Sequence, residues 1–370
     1  MKKIIALFIA LSALFALISC EDSDYPPQKS SDEEARVVMN VSFENKTYEI
    51  KYELYRALFL SVHEDVDGGD MSVWTGTNKN EYVAAVDEII KDKVAEIYAA
   101  IHIASKIGVN VYSSDFDKKV KEYIKTSVEG GYIGQTELEG FEGDYDKYLE
   151  SLKKMGLNYS VQDLMIRYSL ATEEIYKYYA GTLDSEEFLE NAVSGALKYT
   201  ADDVLTFYNS SDCVRVIRAF LPKQYYSAER AESIRDTIAK KAEKSENEVA
   251  NYIIGQTTTG ATDIKNGEII AMHNLDKQYY SELIKSAFEL DAFEVSEVIS
   301  INTGYEDAYV ILYRTVKTND HFEECYDSIA GAYVQNEIGK IIDTDVTAIK
   351  DNIKTTDILA ELDRGSISME

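Results

Sequence analysis

Proline, cysteine and histidine are all scarce in this chain: three, three and four residues among 370. Two of the prolines, Pro26 and Pro27, are adjacent near the start, so the rest of the chain is free to build long helices. So few cysteines and histidines exclude a Cys-rich zinc module and a disulfide-stapled scaffold. Basic residues are short as well. Only 38 lysines and arginines face 66 aspartates and glutamates, a net charge of −28, with an isoelectric point near 4.5. Such a surface repels a phosphate backbone at every distance, so nucleic acid is excluded as a general partner. Apolar material is plentiful: 45% of residues are hydrophobic, and 28 are tyrosine. That is enough for a substantial core, and the length suits two or three domains.

The one long hydrophobic run lies at the start. Lys2 and Lys3 precede an apolar stretch over residues 4–18 that only Ser12 interrupts. It reads as an export signal, 1–19, because it is too short for a settled membrane span. Leu17-Ile18-Ser19-Cys20 resembles a bacterial lipobox. That resemblance implies cleavage before Cys20, a diacylglycerol on its thiol, and a lipid-anchored protein on the extracytoplasmic face of the cell membrane. The acidic, polar residues that follow, with Pro26-Pro27, read as a lipidated flexible tether over 20–36. Cys213 and Cys325 read as buried free thiols. A disulfide between them is not legible from sequence.

Beyond the tether, Val37–Phe43 alternates as a short strand, and Asn45-Lys46 reads as a turn. From Thr47, Tyr48, Tyr52, Tyr55 and Phe59 recur at helical spacing. After a Gly/Asp loop over 67–80, Val83, Val86, Ile90, Val94, Ile97 and Ile101 mark the clearest helix, stopped by Gly108. Ser114-Asp115 starts another, ending at Gly130-Gly131, and a Gly-rich loop over 130–143 follows. Helices are expected at 145–155, 161–179, 185–197 and 200–208, the last with Thr200 as N-cap and Asp203 three residues on. The grammar then changes. Strands are expected at 213–221, 268–272, 295–302 and 308–314, with helices at 228–243, 247–255 and 279–290 between them and loop at 257–267. Helices over 320–342 and 344–362 close the chain.

This order, helices around a compact α+β module, resembles the extracytoplasmic parvulin-type foldases, the PrsA/SurA-like proteins. Residues 41–56 are similar to that family's opening strand, turn and helix entry. Lys106-Ile-Gly-Val-Asn-Val-Tyr-Ser-Ser-Asp115 resembles its Gly-Ile-x-Val-Ser-Asp link. Residues 149–163 look like its Leu-x-x-x-Gly…Glu-Asp helix pair, and 200–208 like its Thr-Asp-Glu-Glu-x-x-x-Tyr-Tyr helix. Residues 214–221 would be the module's first strand. Phe288-Glu-Leu…Glu294-Val-Ser296-Glu-Val298 resembles its Phe-x-Leu…Gly-Glu-Val-Ser-x-Val segment.

The resemblance implies an α+β, mostly helical fold. A SurA-like chaperone domain would be built from residues 37–211 and 317–362. A parvulin-like (FKBP-like) module with a four-stranded antiparallel sheet, 212–316, would be inserted between them, with 363–370 as a tail. Parvulins carry two facing histidines on central strands and a Met/Phe-lined proline pocket. Here the first histidine position falls on Arg218 and the last near Val310, while the pocket Met and Phe fall on Tyr279 and Leu283, counted back from Phe288. With Phe220, these six residues are the candidate peptide-binding groove, and no catalytic residue is assigned. His273, in the same module, reads as an exposed loop histidine. The resemblance therefore implies a degenerate peptidyl-prolyl isomerase module in a chaperone for unfolded or newly exported polypeptides.

Two other readings stay open. One is a working isomerase with a non-standard groove around Phe220, Tyr279, Leu283 and Phe288. The other is the solute-binding lipoprotein of a transporter, which would show parallel α/β lobes. No cofactor is implied and no metal site: the acidic runs Asp32-Glu-Glu34 and Glu186-Glu187 lack the spaced oxygen ligands of a calcium loop. Tyrosine suits loose peptide contact, but most of these tyrosines, including Tyr178, Tyr179, Tyr225 and Tyr226, are expected to pack helix seams. A homodimer is neither implied nor excluded.

Overall fold

Chain order accounts for most of the architecture in the computed structural model, which describes residues 25–44, 46–133, 136–181, 195–257, 261–273, 277–302 and 307–368. The leader, Cys20, Glu186-Glu187 and most of the expected 185–197 helix lie outside the described residues. Two compact units result, one from Met1–Ile175 with Ile342–Glu370 and one from Tyr176–Ile341.

The first unit opens with a hairpin of β1 (Val37–Phe43) and β2 (Lys46–Lys51). The expected helix start at Thr47 is corrected here. Aromatics at helical spacing span two elements, and Lys-Thr-Tyr-Glu-Ile-Lys instead alternates, pairing Ile50 with Met39 and Tyr48 with Val41. Helix α1 begins only at Tyr52 and runs to Asp67, where Gly68 at φ 61° sends its N–H back to Glu64 O. A single 3-10 turn at Met71–Trp74 then buries the chain's only tryptophan, whose indole donates to Asp67 Oδ2 at 2.7 Å. Helix α2 (Lys79–Lys106) buries Val86, Ile90, Val94, Ile97 and Ile101, as their period predicts. Ser113 caps α3 (Ser114–Glu129), one residue earlier than expected, and Asp144 caps α4 (Tyr145–Lys154). Helix α5 follows at Tyr159–Ala180.

The Gly-rich segment after α3 is not plain loop. It carries the small hairpin of β3 (Gly131–Ile133) and β4 (Thr136–Leu138). Two backbones touch at its base: a Cβ on Gly140 (φ +68°) would stand 2.1 Å from Gly130 N. Gly140→Ala is therefore expected to cost about 1–3 kcal/mol through strain and steric displacement. The readout is the urea midpoint, and a variant as stable as the parent would contradict the close approach.

Residues 25–36 depart from the expected free spacer. Tyr25 is 8% exposed, donates to Glu129 Oε1 at 2.9 Å, and lies 5.3 Å from the Tyr145 ring. Arg36 O and Glu34 O accept the backbone N–H groups of Tyr52 and Glu53, two donors of the first turn of α1 that have no partner within the helix. Ser30 and Asn158 both donate to the buried Glu53 carboxylate. The segment is held because it supplies partners that α1 needs.

In the second unit, Thr200 caps α6 (Ala201–Asn209) in a reciprocal box with Asp203. Strand β5 (Cys213–Pro222) is followed by α7 (Ala228–Ala242) and α8 (Glu246–Ile254). The expected 257–267 loop contains a short helix, α9 (Ala261–Asn266), whose Ile264 joins the core. Strand β6 (Glu268–Ala271), α10 (Lys277–Glu289), β7 (Ile299–Asn302) and β8 (Asp307–Thr315) complete an antiparallel sheet in the order β6-β5-β8-β7. Of the expected 295–302 strand, Val295 makes only an isolated bridge to Tyr313.

The next helix breaks at Cys325 into α11 (Asn319–Glu324) and α12 (Tyr326–Lys350). This second unit extends beyond residues 212–316 on both sides. Phe207 and Tyr208 of α6 and Ile329 and Ala330 of α12 share one core cluster with Cys213 and Ala271.

The chain then returns to the first unit. The expected 344–362 helix is replaced by the end of α12, strand β9 (Ile353–Thr355) and the short helix α13 (Asp357–Glu361). Strand β9 pairs with the free edge of β1, Val41 opposite Ile353 and Met39 opposite Thr355. Nor are residues 363–368 a loose tail. Arg364 is 5% exposed and its guanidinium bonds to Asp87, Tyr55 and two carbonyls. The fold is α+β and mostly helical, and every strand pair among the described residues is antiparallel.

Candidate functional site

Side chains alternate across the four-stranded sheet, and the alternation assigns each candidate residue to a face. Ile217, Ala219 and Leu221 of β5, with Ile311 and Tyr313 of β8, pack under α7, α8 and α9. Val214 and Val216, with Ile270, Val310 and Leu312, pack on the opposite face against Leu283, Ile284 and Ala287 of α10. Register places Arg218 opposite Leu312 and Phe220 opposite Val310, so both belong to the α10 face.

Five of the six candidates therefore meet on one face, in two different states. Leu283 and Val310 are core residues, 3% and 0% exposed. Arg218, Phe220 and Phe288 are only partly buried and reach solvent. Tyr279 lies on α10, but its side chain is outside the described residues. Arg314, opposite Val216, holds the end of α10 in place by donating to Phe288 O and Leu290 O.

Arg218 does not stand alone. Its guanidinium pairs with Glu268 Oε2 at 3.1 Å. Glu268 opens β6 and pairs with Val216, which puts its side chain on the same face. Its second oxygen, Oε1, is buried with no hydrogen-bond partner. Burial pushes this carboxyl above the ordinary range, and Arg218 only partly offsets that. A partly desolvated carboxyl thus lies beside a cation, on the sheet face that also carries Phe220 and Phe288. Sequence reasoning reached Arg218 and passed over Glu268, because one acid opening a four-residue strand looks like any solvated charge. The pairing partner is visible only once β6 is laid against β5.

None of the four strands carries a histidine. His273 follows β6, and its backbone N–H donates to Asn336 Oδ1. It is half-buried rather than exposed. His321 of α11 is buried, 2.9 Å from the Tyr208 hydroxyl. The thiols at Cys213 and Cys325 are free, the first buried and the second half-buried, and burial raises the Cys213 pKa to about 11. Among the described residues, no group of three metal-ligating side chains lies together, and no helix is long and apolar enough to cross a membrane.

The sequence-based comparisons, against protein families and against curated proteins, find no match. Solved structures do align. The foldase protein PrsA of Streptococcus pneumoniae matches at 14% identity over 86% of this chain and 96% of its own, with a TM-score of 0.28. PrsA of Bacillus subtilis aligns at 14% identity over 86% and 93%, with a TM-score of 0.23. PrsA of Lactococcus lactis aligns at 12% identity over 90% and 99%, with a TM-score of 0.23. At TM-scores this low the superpositions carry no functional weight, so function has to come from the residues of the sheet face.

Proposed function

We propose that this chain is a membrane-anchored extracytoplasmic chaperone of the PrsA/SurA-like kind, holding unfolded or newly exported polypeptide, with a parvulin-like module that has lost its paired histidines. The observation that carries this is the α10 face of the sheet. Phe220 and Phe288 offer half-buried aromatic area on the same face as the Arg218–Glu268 pair. An extended peptide offers apolar side chains, and this half-buried aromatic surface can take them up. Exposed Tyr225 (72%) and Phe293 (53%) in the same unit add apolar surface of the forgiving kind that unspecific clients need. Parallel α/β lobes, which a solute-binding lipoprotein needs, do not occur among the described residues.

Arg218 also favours a second reading, an active isomerase. Prolyl rotation faces a barrier of about 18–20 kcal/mol that arises from amide conjugation. The half-buried Arg218 guanidinium can donate a hydrogen bond, and donation to the prolyl nitrogen weakens that conjugation.

One experiment separates these readings. Residues 21–370 are mixed with a reduced, unfolded client, and both aggregation and the isomerisation of a proline peptide are followed. The chaperone reading expects aggregation slowed at least about twofold at equimolar protein, unaccelerated isomerisation, and weaker protection by Phe220→Ser. Isomerisation that is accelerated, and lost in Arg218→Met, would establish the second reading. Aggregation that proceeds unchanged removes the first.

A further inference from the structure

The packing of residues 25–36 changes what a lipid on Cys20 would do. Tyr25 and Pro26 are fixed to the first unit: Tyr25 donates to Glu129, and the Tyr145 hydroxyl donates to Pro26 O at 2.7 Å. Only Glu21, Asp22, Ser23 and Asp24 separate Tyr25 from Cys20. Five Cα steps reach at most about 17 Å. A lipid at Cys20 therefore does not let the folded part float away on a long leash. It brings one particular surface to the bilayer: the end of α3, the start of α4, and the β3–β4 hairpin between them.

That surface carries an unusual residue. Tyr132 of β3 is 66% exposed, among the most exposed large hydrophobic side chains described. The hairpin base is fixed by the Gly130–Gly140 backbone contact, directly after Glu129, the residue that binds Tyr25. Tyr132 thus stands on a stem adjoining the point where the leash is tied.

Charge says which lipid chemistry fits. Residues 126–146 contain Glu129, Glu137, Glu139, Glu142, Asp144 and Asp146, and no lysine or arginine. A polybasic attraction to anionic headgroups is excluded. What remains is the preference of a tyrosine ring for the headgroup zone, where its apolar body and polar tip are both satisfied.

We propose that Tyr132 docks into the interfacial zone of the bilayer that holds the Cys20 lipid and so fixes which face of the first unit meets the membrane. This rests on the anchored reading given above. The lipid supplies attachment, and the short leash holds the ring at high effective concentration beside the surface. The tyrosine sets orientation.

The test uses the full-length protein, processed in cells and reconstituted with its lipid into phosphatidylcholine vesicles. Tyr132→Trp places an indole at the site, and Trp74, which is buried, gives a background removed by subtracting the parent protein. Docking predicts a blue-shifted emission and a loss of about half the added signal when the acyl chains are brominated near the headgroup. It also predicts less quenching as anionic lipid is added. Inserting a sixteen-residue Gly/Ser stretch after Asp24 should reduce the quenching as well, since effective concentration falls with leash length (~16 residues being several times the natural spacing). A lipidated, vesicle-bound protein whose indole emits as in water overturns the docking alone. A chain with no mass increase at Cys20 overturns the anchored reading, and the docking with it.

Discussion

Arg364→Ala is expected to destabilise the protein by about 3–5 kcal/mol, the usual consequence of breaking a buried, hydrogen-bonded ion pair from one side. The guanidinium lies 2.8 Å from Asp87 Oδ2 and is 5% exposed. It also donates to the Tyr55 hydroxyl at 3.1 Å and to Leu359 O and Leu362 O, each at 2.8 Å. Asp87 in turn accepts from Tyr55 at 2.6 Å, so removing the cation leaves a carboxylate, a phenol and two carbonyls without their shared partner. Burial, and then Asp87, push the Tyr55 phenol far above its ordinary range, so it stays a donor at any pH that preserves the fold. Urea unfolding measures the loss. The double variant Arg364→Ala/Asp87→Asn should lose less than the two single losses added together, because the unpaired charge is then gone. A loss under about 1 kcal/mol for Arg364→Ala would mean that the C-terminal residues are held by something else.

Acid should weaken the second unit by a comparable amount. His321 is buried against Tyr208, and burial, helped by the Arg215 cation, lowers its pKa to about 4. In the unfolded chain the same imidazole takes up a proton near its ordinary value of 6.5. Between those two values the unfolded state holds more protons than the folded one, so stability rises with pH across the window. The contribution is complete above pH 6.5 and is lost as pH falls toward 4, a span worth roughly 3 kcal/mol. His102, in the first unit, acts in the same direction, since burial and then Lys106 lower its pKa against the opposing pull of Glu44 and Asp345. Urea midpoints at about pH 7.5 and about pH 4.5 give the difference, and His321→Gln should flatten it. An undiminished acid loss in that variant would assign the effect to other groups.

The α2 periodicity and the Thr200 capping box were legible because both are local: every residue that decides them lies within a few turns. The hairpin at 46–51 was not, since Tyr48 and Tyr52 keep helical spacing across a strand-to-helix junction. Strand β9 was harder still. Three residues, Ile-Lys-Thr, carry no period of their own, and their partner lies at the other end of the chain. The docked residues 25–36 have a tether's composition; only the unpaired donors at the start of α1 reveal why they are held. At the candidate site the aromatic residues were legible from strand and helix pattern. Glu268 was not, because its meaning depends on the register of β6 against β5.

Strand β1 lies between β2 and β9, so the first unit is a three-strand structure that its amino-terminal half can only begin. A chain delivered from its amino end would emerge with one side of β1 unpaired until residues 353–355 follow. The Tyr176–Ile341 unit is contiguous and can close on its own in the meantime. Synthesis that halts early therefore leaves a hydrogen-bonding edge open to other chains, which only the arrival of residues 353–355 closes.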